Sequence, residues 1–527
     1  MNIFVFFICF GFFFIGLMLF YVLGGVLNLV FVEWYFFNLK LGLYIDSFFF
    51  GCVLFVVTFS VIVFSSYYME GEVNLYYFFL VFMVFVFSMF FLNFSSSVFT
   101  MLLSWDVLGV SSFFLVLFYN NWDSCSGAMN TVLTNRVGDY FLFLFFVFFV
   151  FSSLYFESVL VFSVSSSLLL LLAGFTKSAQ FPFSGWLPKA MSAPTPVSAL
   201  VHSSTLVTAG LILIMNFVGL IMNFFLCVVI VVVGLLTMFF SSACALVEQD
   251  MKKVVALSTL SQMGFSMMTL GVGLYFVSLL HLVGHALFKS CLFMQVGVFI
   301  HSLGGQQDSR DYSSLGGGVY FIQLQMLVTL FCLCGLVFSS GAVTKDMILE
   351  MFFFNFWSWV FGMMFFCGVF MTFIYSLRLF MSVMNLGAKS LFEGHVSVMM
   401  MVFSFVLVLL SVLGLWWLSM NLLVLPVVFL YVDFYVPLVF LGVLLLIVSG
   451  FFLVGWKDLK YKIFVDYAAK EGVESFFFLK FFDVMVNSVY LNWLVVNKNL
   501  GYLVNMIFGS MGLSIMVVVV LFLFLVF

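Results

Sequence analysis

The sequence predicts an all-α polytopic membrane protein, and three observations carry that prediction. Only 7% of its 527 residues are charged, against roughly 25% in soluble globular proteins, and 66% are hydrophobic. Apolar runs of about 18 residues or more, long enough to span a hydrocarbon core as a helix, recur along nearly the whole chain. The connections between these runs are too short to hold a soluble domain of useful size.

Taken in order, about fifteen spans are expected. Met1 opens directly into the first, 3–24, without a basic stretch ahead of it, so a cleavable targeting peptide is not expected. Spans 46–67, 74–93 and 97–119 follow as near-continuous Phe, Val and Leu, the last interrupted by Asp106. The fifth, 135–155, begins on NRVGDY; the sixth, 166–190, holds LLLLLAGFTKSAQFPF; the seventh, 195–217, contains His202. Spans 222–245, 252–272 and 277–300 come next, then the Gly-rich connection 302–318 with Arg310 and Asp311. Spans 319–341, 345–381, 398–420 and 436–455 complete the bundle, several of them long enough to need a kink, a tilt or a break.

The stretch 457–506 differs. It carries eleven of the 38 charged residues, interleaved with aromatic and aliphatic side chains. It is too charged to span and too apolar for a disordered tail, so it reads as an amphipathic helix along the membrane surface or the bundle flank. Forty such residues extend about 60 Å at 1.5 Å each. A last span, 507–527, anchors the far end.

Composition also excludes functions. The nine cysteines stand singly apart from Cys332 and Cys334, without a CxxC pair or Cys/His ligand spacing, so neither an iron–sulfur cluster nor a zinc site is signalled. Neither a GxGxxG turn after a strand nor a phosphate-binding loop occurs, and a net charge of −4 argues against nucleic acid. The chemistry therefore falls to side chains inside the membrane.

A charge at the bilayer centre costs on the order of 2.5–3.5 kcal/mol, so each such residue needs a partner or a task. The candidates are Asp106, Arg136 and Asp139, Lys177, His202, His281, His285 and Lys289, then Lys345, Asp346 and Glu350. Arg136 and Asp139, spaced i,i+3, fit an ion pair at a helix end as well as a place in a pathway. His202 fits a hydrogen-bonded structural histidine as well as a relay. His281 and His285 at i,i+4 have a metal pair's spacing but lack an evident third ligand. Glu248, Asp250, Lys252 and Lys253 read as a solvated loop, and Arg378 as a snorkelling residue at a span's end. Lys177 and Asp106 lie deep in their spans and carry opposite signs. Moving or protonating the carboxylate would change the lysine's affinity for its proton, which makes a switch.

Four of the six prolines, Pro182, Pro188, Pro194 and Pro196, crowd behind Lys177, so the sixth span is expected to be discontinuous. Broken helices in membranes survive only where protein or water surrounds them, and they mark ion pathways. Asp106, Lys177, His202, His281, His285 and Lys345 thus form a chain of titratable groups around broken helices, and protons are the natural cargo.

Several stretches resemble a known family. LLAGFTKSAQFPFSGWLPKAMSAPTPVSALVHSSTLVTAG, ALVEQDMKKVVALSTLSQMGFSMMTLGVG and LLHLVGHALFKSCLFMQVGVFIH resemble the antiporter-like subunits of respiratory complex I, NADH:ubiquinone oxidoreductase. KSAQFPFSGWLP, SWDVLGVSSFFL, NRVGDYFLF and YIDSFFFGCVLFVVTFSVIVFSSYYM resemble the distal, chain 5 type, as does a lateral helix followed by an anchor. The close resemblance covers about residues 42–384.

The resemblance implies two inverted five-helix repeats, 74–217 and 222–384, each with a broken helix. They are flanked by N-terminal helices (1–73), further spans (385–456), the lateral helix (457–506) and the anchor (507–527). It implies proton transfer through Asp106, Lys177, His202, His281, His285, Lys345 and Asp346, with Arg136, Asp139 and Lys289 as accessories. The family usually carries Glu at the position of Asp106, and one more N-terminal span than is counted here. NADH, FMN, iron–sulfur clusters and ubiquinone would belong to other subunits, this chain binding no cofactor or metal. The implied partners are the adjacent antiporter-like chain 4, chain 2 through the lateral helix, and lipids such as cardiolipin, in a hetero-oligomer of the mitochondrial inner membrane. The 82 phenylalanines fit a T-rich coding strand of the mitochondrial kind. A cation/proton antiporter subunit of the Mrp type is the alternative, sharing the KSAQ-type stretch and the histidine span.

Overall fold

The computed structural model describes residues 28–32, 39–42, 44–152, 159–221, 223–309, 320–336, 341, 344–345, 348–349, 359–384 and 398–414. The expected spans 3–24, 436–455 and 507–527, the lateral stretch 457–506, and Arg310, Asp311, Asp346 and Glu350 lie outside the described residues.

Before the helices comes a small antiparallel pair that the helical reading did not include, β1 (Asn28–Val32) and β2 (Leu39–Gly42), with Asn28 opposite Gly42. NLVFV is short and rich in residues that suit a pleated strand. β2 is tied to the bundle where Gly42 N donates to Phe94 O at 2.8 Å.

The helices are α1 (Ile45–Tyr68), α2 (Leu75–Asn93), α3 (Val98–Val116), α4 (Trp122–Ser152) and α5 (Val159–Lys177), then α6, running over Thr195–Asn216. α7 (Phe224–Val247), α8 (Met251–Gly271), α9 (Tyr275–Ser302), α10 (Tyr320–Cys334), α11 (Trp359–Met384) and α12 (Val398–Leu409) follow. Eight helices among the described residues are long and apolar enough to cross a membrane. α6 and α8 are buried along their length and α9 nearly so, and the others, partly exposed, surround them. The three central helices carry His202, Lys252, His281, His285 and Lys289.

Lipid tails are as apolar as leucine, so close packing and hydrogen bonds, rather than exclusion of water, hold membrane helices together. Glycine supplies the close packing at two crossings. A Cβ added at Gly210 of α6 would collide with the Gly174 carbonyl oxygen of α5. At the α7–α8 crossing, a Cβ at either Gly234 or Gly264 would stand 2.8 Å from the other's main-chain oxygen.

The sixth span breaks as expected, but earlier and by other means. α5 stops at Lys177, five residues ahead of Pro182, and Ala179 takes a left-handed conformation at φ +53°. Gln180 N then closes on Phe175 O at 2.9 Å, finishing the helix as a left-handed C-terminal turn usually does. Residues 181–194 continue as short turns, where each proline removes a helical donor. Lys177 therefore sits at a helix C-terminus and not in mid-helix.

α6 contains a second irregularity, a π-helical stretch over Ser198–Thr205 with His202 inside it. π-helical turns inside α-helices are rare and are frequent at functional sites. α10 ends before Gly335, at φ +79°, where Gly335 N and Leu336 N both donate to Phe331 O.

A candidate proton path through two helix breaks

At the first break Lys177 is 1% exposed. Its Nζ donates to the main-chain oxygen of Trp105 on α3 at 2.8 Å and stands 3.8 Å from the centroid of the same residue's ring. A helix C-terminus favours a cation, and a desolvated ammonium on an indole face gains about 2 kcal/mol. The indole N–H of Trp105 in turn donates to Asp139 Oδ1 at 2.9 Å. Arg136 Nη1 bonds the other oxygen of Asp139 at 3.1 Å and reaches Asp106 Oδ1 at 3.5 Å.

This arrangement differs from the expected Asp106–Lys177 pair. Asp106 joins Arg136, and its side chain is 42% exposed on the outer face. Asp139, expected only as an accessory, is 7% exposed and has the larger electrostatic interaction with Lys177. Nor do Arg136 and Asp139 end a helix: α4 starts at Trp122, so the pair lies nearly four turns inside. The polar residues 122–134 are helical because they pack against the broken segment, where a Cβ at Gly127 would stand 2.7 Å from Lys189 O.

The contacts continue inward. Trp186, beyond the break, donates from its indole to Thr176 O at 3.1 Å, and its ring lies 6.0 Å from that of His202. Gln180, in the break, accepts from Thr237 of α7 at 2.7 Å, tying the unwound backbone across the bundle. His202 is buried with neither ring nitrogen hydrogen-bonded among the described residues.

Lys252 corrects the solvated-loop reading. It is 2% exposed, its Nζ donates to Ala193 O at the end of the broken segment, and it interacts electrostatically with His202. α8 begins at Met251, so Lys252 faces the core while its neighbour Lys253 faces out and pairs with Asp250 at 2.5 Å. Arg378 likewise does not snorkel from a span's end. It lies within α11, and its Nη1 donates to the main-chain oxygens of Ala245 and Leu246 that close α7.

The second half places its groups on α9 and around the second break. His281 Nδ1 lies 3.1 Å from Thr344 Oγ1, and its ring packs 5.0 Å from that of Phe265. His285 is buried with neither ring nitrogen hydrogen-bonded among the described residues. Lys289, fully buried, donates to Ser258 Oγ at 2.5 Å. Lys345, 2% exposed, donates to Leu333 O at 2.7 Å and Cys334 O at 3.3 Å, the last carbonyls of α10. Each half thus holds a buried lysine against main-chain carbonyls at a helix break. Among the described residues no three His, Cys, Asp or Glu side chains converge as metal ligands would.

Sequence reading missed Trp105, Lys252, Thr344 and the rank of Asp139. Trp105 has a signal, lying beside Asp106, but its main-chain and indole contacts belong to the fold.

Residues 95–374 match the family described as NADH:quinone oxidoreductase/Mrp antiporter, TM. The NADH-ubiquinone oxidoreductase chain 5 of Ascaris suum is 56% identical over 530 residues, covering all of this chain and 96% of its own length. That of Caenorhabditis elegans is 56% identical over 526 residues, covering both chains in full. Among solved structures, a chain of the Mrp complex from Dietzia sp. superposes with a TM-score of 0.70 at 23% identity, over 87% of this chain and 56% of that one. A chain of an archaeal membrane-bound sulfane sulfur reductase superposes at 0.67 and 20% identity, over 76% and 69%. The fold is therefore shared beyond NADH-ubiquinone oxidoreductase, whereas the full-length relatives are specific: the chain belongs to the NADH:quinone oxidoreductase/Mrp antiporter membrane family and, within it, to the chain 5 subunits of NADH-ubiquinone oxidoreductase.

Proposed function

We propose that this chain moves protons across the mitochondrial inner membrane, driven by NADH-to-quinone electron transfer on other subunits of its complex. The observation that carries this reading is Lys177, a buried ammonium at a helix break that is joined through Trp105 to Asp139, Arg136 and Asp106. Rearranging those charges changes the free energy of a proton on Lys177 without moving a helix. Each proton must climb about 2.3 kcal/mol per 100 mV, within reach of a charge-pair change in a partly dry interior. From Lys177 the proton passes His202, His281 and His285 and reaches Lys345 and Asp346, with Lys289 beside the path. Thr344, hydrogen-bonded to His281 and adjacent in sequence to Lys345, supports that last link.

Residues 74–217 and 222–384 act as two inverted repeats, and the paired lysines at helix breaks support this. The rest of the chain divides into N-terminal helices (1–73), further spans (385–456), a lateral helix (457–506) and an anchor (507–527). The chain acts as a translocase subunit without a redox centre, the NADH, FMN, iron–sulfur and ubiquinone chemistry residing elsewhere. A neighbour covers the outer face of α3 and α4. An ion pair half exposed there, Asp106 with Arg136, is costly against lipid and supports a contact with another membrane subunit, assigned to chain 4. The lateral helix reaches chain 2, and lipids such as cardiolipin fill the remaining seams.

The test is Lys177→Ala in membrane vesicles carrying the assembled complex. NADH oxidation should continue while dye-reported proton uptake falls well below that of the unmodified complex; undiminished uptake overturns the role. The second reading, an Mrp-type cation/proton antiporter, draws on the fold shared with the Dietzia complex. It predicts sodium-driven proton exchange without NADH.

A further inference from the structure

Asn135 of α4 is a buried amide with no evident structural task. It is 4% exposed, and neither its oxygen nor its nitrogen has a hydrogen-bond partner among the described residues. An amide carries two donor hydrogens and an acceptor oxygen, and buried groups of this kind are satisfied by protein or by ordered water. A leucine of similar volume would need no partner at all, so packing alone does not call for this residue. Residues four apart on a helix are neighbours, which sets Asn135 one turn from Asp139 on one side and one turn from Thr131 on the other. The Thr131 hydroxyl donates to Ala128 O at 2.7 Å and keeps its lone pairs for another donor.

The inward face of α4 changes character at Asp139. Towards the start of the helix its buried residues are Ser124, Gly127, Ala128, Thr131 and Asn135, all small or polar; beyond Asp139 they are Leu142, Phe145 and Phe146. Water needs polar partners, so only the first stretch suits it. The start of α4 carries Trp122, 93% exposed, and aromatic rings of that kind gather where membrane meets water. At the other end of the stretch, a Cβ at Gly138 would stand 2.0 Å from Oγ1 of Thr176, the residue before Lys177.

We propose that Asn135 holds ordered water beside Asp139, and that this water brings protons to the Asp139 carboxylate from the aqueous side on which α4 begins; the inference rests on the proton-moving function proposed above. Asn135 is a positioning residue, since an amide does not titrate and only orients the water. Each transfer breaks one O–H bond as it forms another. The carboxylate takes a proton on an oxygen lone pair, the water that gave it is protonated again from the aqueous side, and no oxidant or reductant is consumed. Once protonated, Asp139 no longer presents to Lys177 the negative charge that acts on it.

The experiment uses the assembled complex in two ways: dye-reported protons per NADH oxidised in membrane vesicles, and a map in which ordered waters are resolved. Asn135→Leu, dry at the same volume, should lower the ratio several-fold at normal assembly. Asn135→Ser, which restores a donor and an acceptor, should return it towards the native value. The native map should show water within hydrogen-bond reach of both Asn135 and Asp139. A native ratio in Asn135→Leu overturns the proposal, as do equal losses in the leucine and serine variants, or a protein group on the amide in place of water. Where Asn135→Leu does not assemble, the native map decides. The functional reading is tested apart: a complex that loses proton uptake in Lys177→Ala yet keeps it in Asn135→Leu retains the function and loses only this water site.

Discussion

Trp105 gives its indole N–H to Asp139 Oδ1 at 2.9 Å, while its main-chain oxygen receives the Lys177 ammonium at 2.8 Å. One residue therefore holds a buried carboxylate and a buried lysine together. Trp105→Phe keeps a ring beneath Lys177 but leaves Asp139 short of a donor, at a cost of about 1–3 kcal/mol. The expected outcome is a lower temperature of half-inactivation together with reduced proton uptake.

Asp139 and Asp106 should separate by substitution. Asp139 is buried and acts more strongly on Lys177, whereas Asp106 is half exposed and bound to Arg136 at 3.5 Å. Asp139→Asn is expected to lower proton uptake per NADH several-fold more than Asp106→Asn. A larger loss in Asp106→Asn would return the switch to the position that the sequence favoured.

Ala179 occupies a left-handed conformation at φ +53°, which costs a residue with a Cβ about 1 kcal/mol relative to glycine. Ala179→Gly should therefore raise the half-inactivation temperature slightly or leave it unchanged. Ala179→Val should lower it clearly, because a branched side chain suits that conformation least.

The α5–α6 crossing should be intolerant of even one methyl group. Gly210→Ala drives its Cβ into the Gly174 carbonyl and towards Ser178, next to Lys177. Overpacking of this kind costs about 1–3 kcal/mol, read as loss of assembled complex on a native gel.

Tyr275→Phe offers a contrast away from the path. It removes the bond from the Tyr275 hydroxyl to Asp46 Oδ2, 2.6 Å long, which clamps α9 to α1. Stability should fall by about 1–2 kcal/mol while protons per NADH remain native.

Much of this arrangement was legible in the sequence, and its limits have physical causes. The break after Lys177 was readable from four prolines, but the helix ends earlier, on a left-handed alanine that no composition rule flags. Arg136 and Asp139 seemed to open a span because hydropathy starts there. The helix begins at Trp122 since its polar turns are sheltered by residues 186–192, a tertiary fact. Lys252 looked like its neighbour Lys253 because both sit in a charged cluster. A rotation of about 100° per residue puts one in the core and the other outside. The π-helical register around His202 left no mark in the sequence.

The two glycine crossings also set how the machine can work. At Gly174/Gly210 and Gly234/Gly264 the backbones meet with no side chain between them, so neither helix pair can close further, and sliding would drive bulkier residues into the seam. Helices gripped in this way are poor pistons. A signal arriving from a neighbouring subunit is therefore expected to cross this chain as a redistribution of charge and protons through a nearly stationary frame, with a stroke no longer than a side chain.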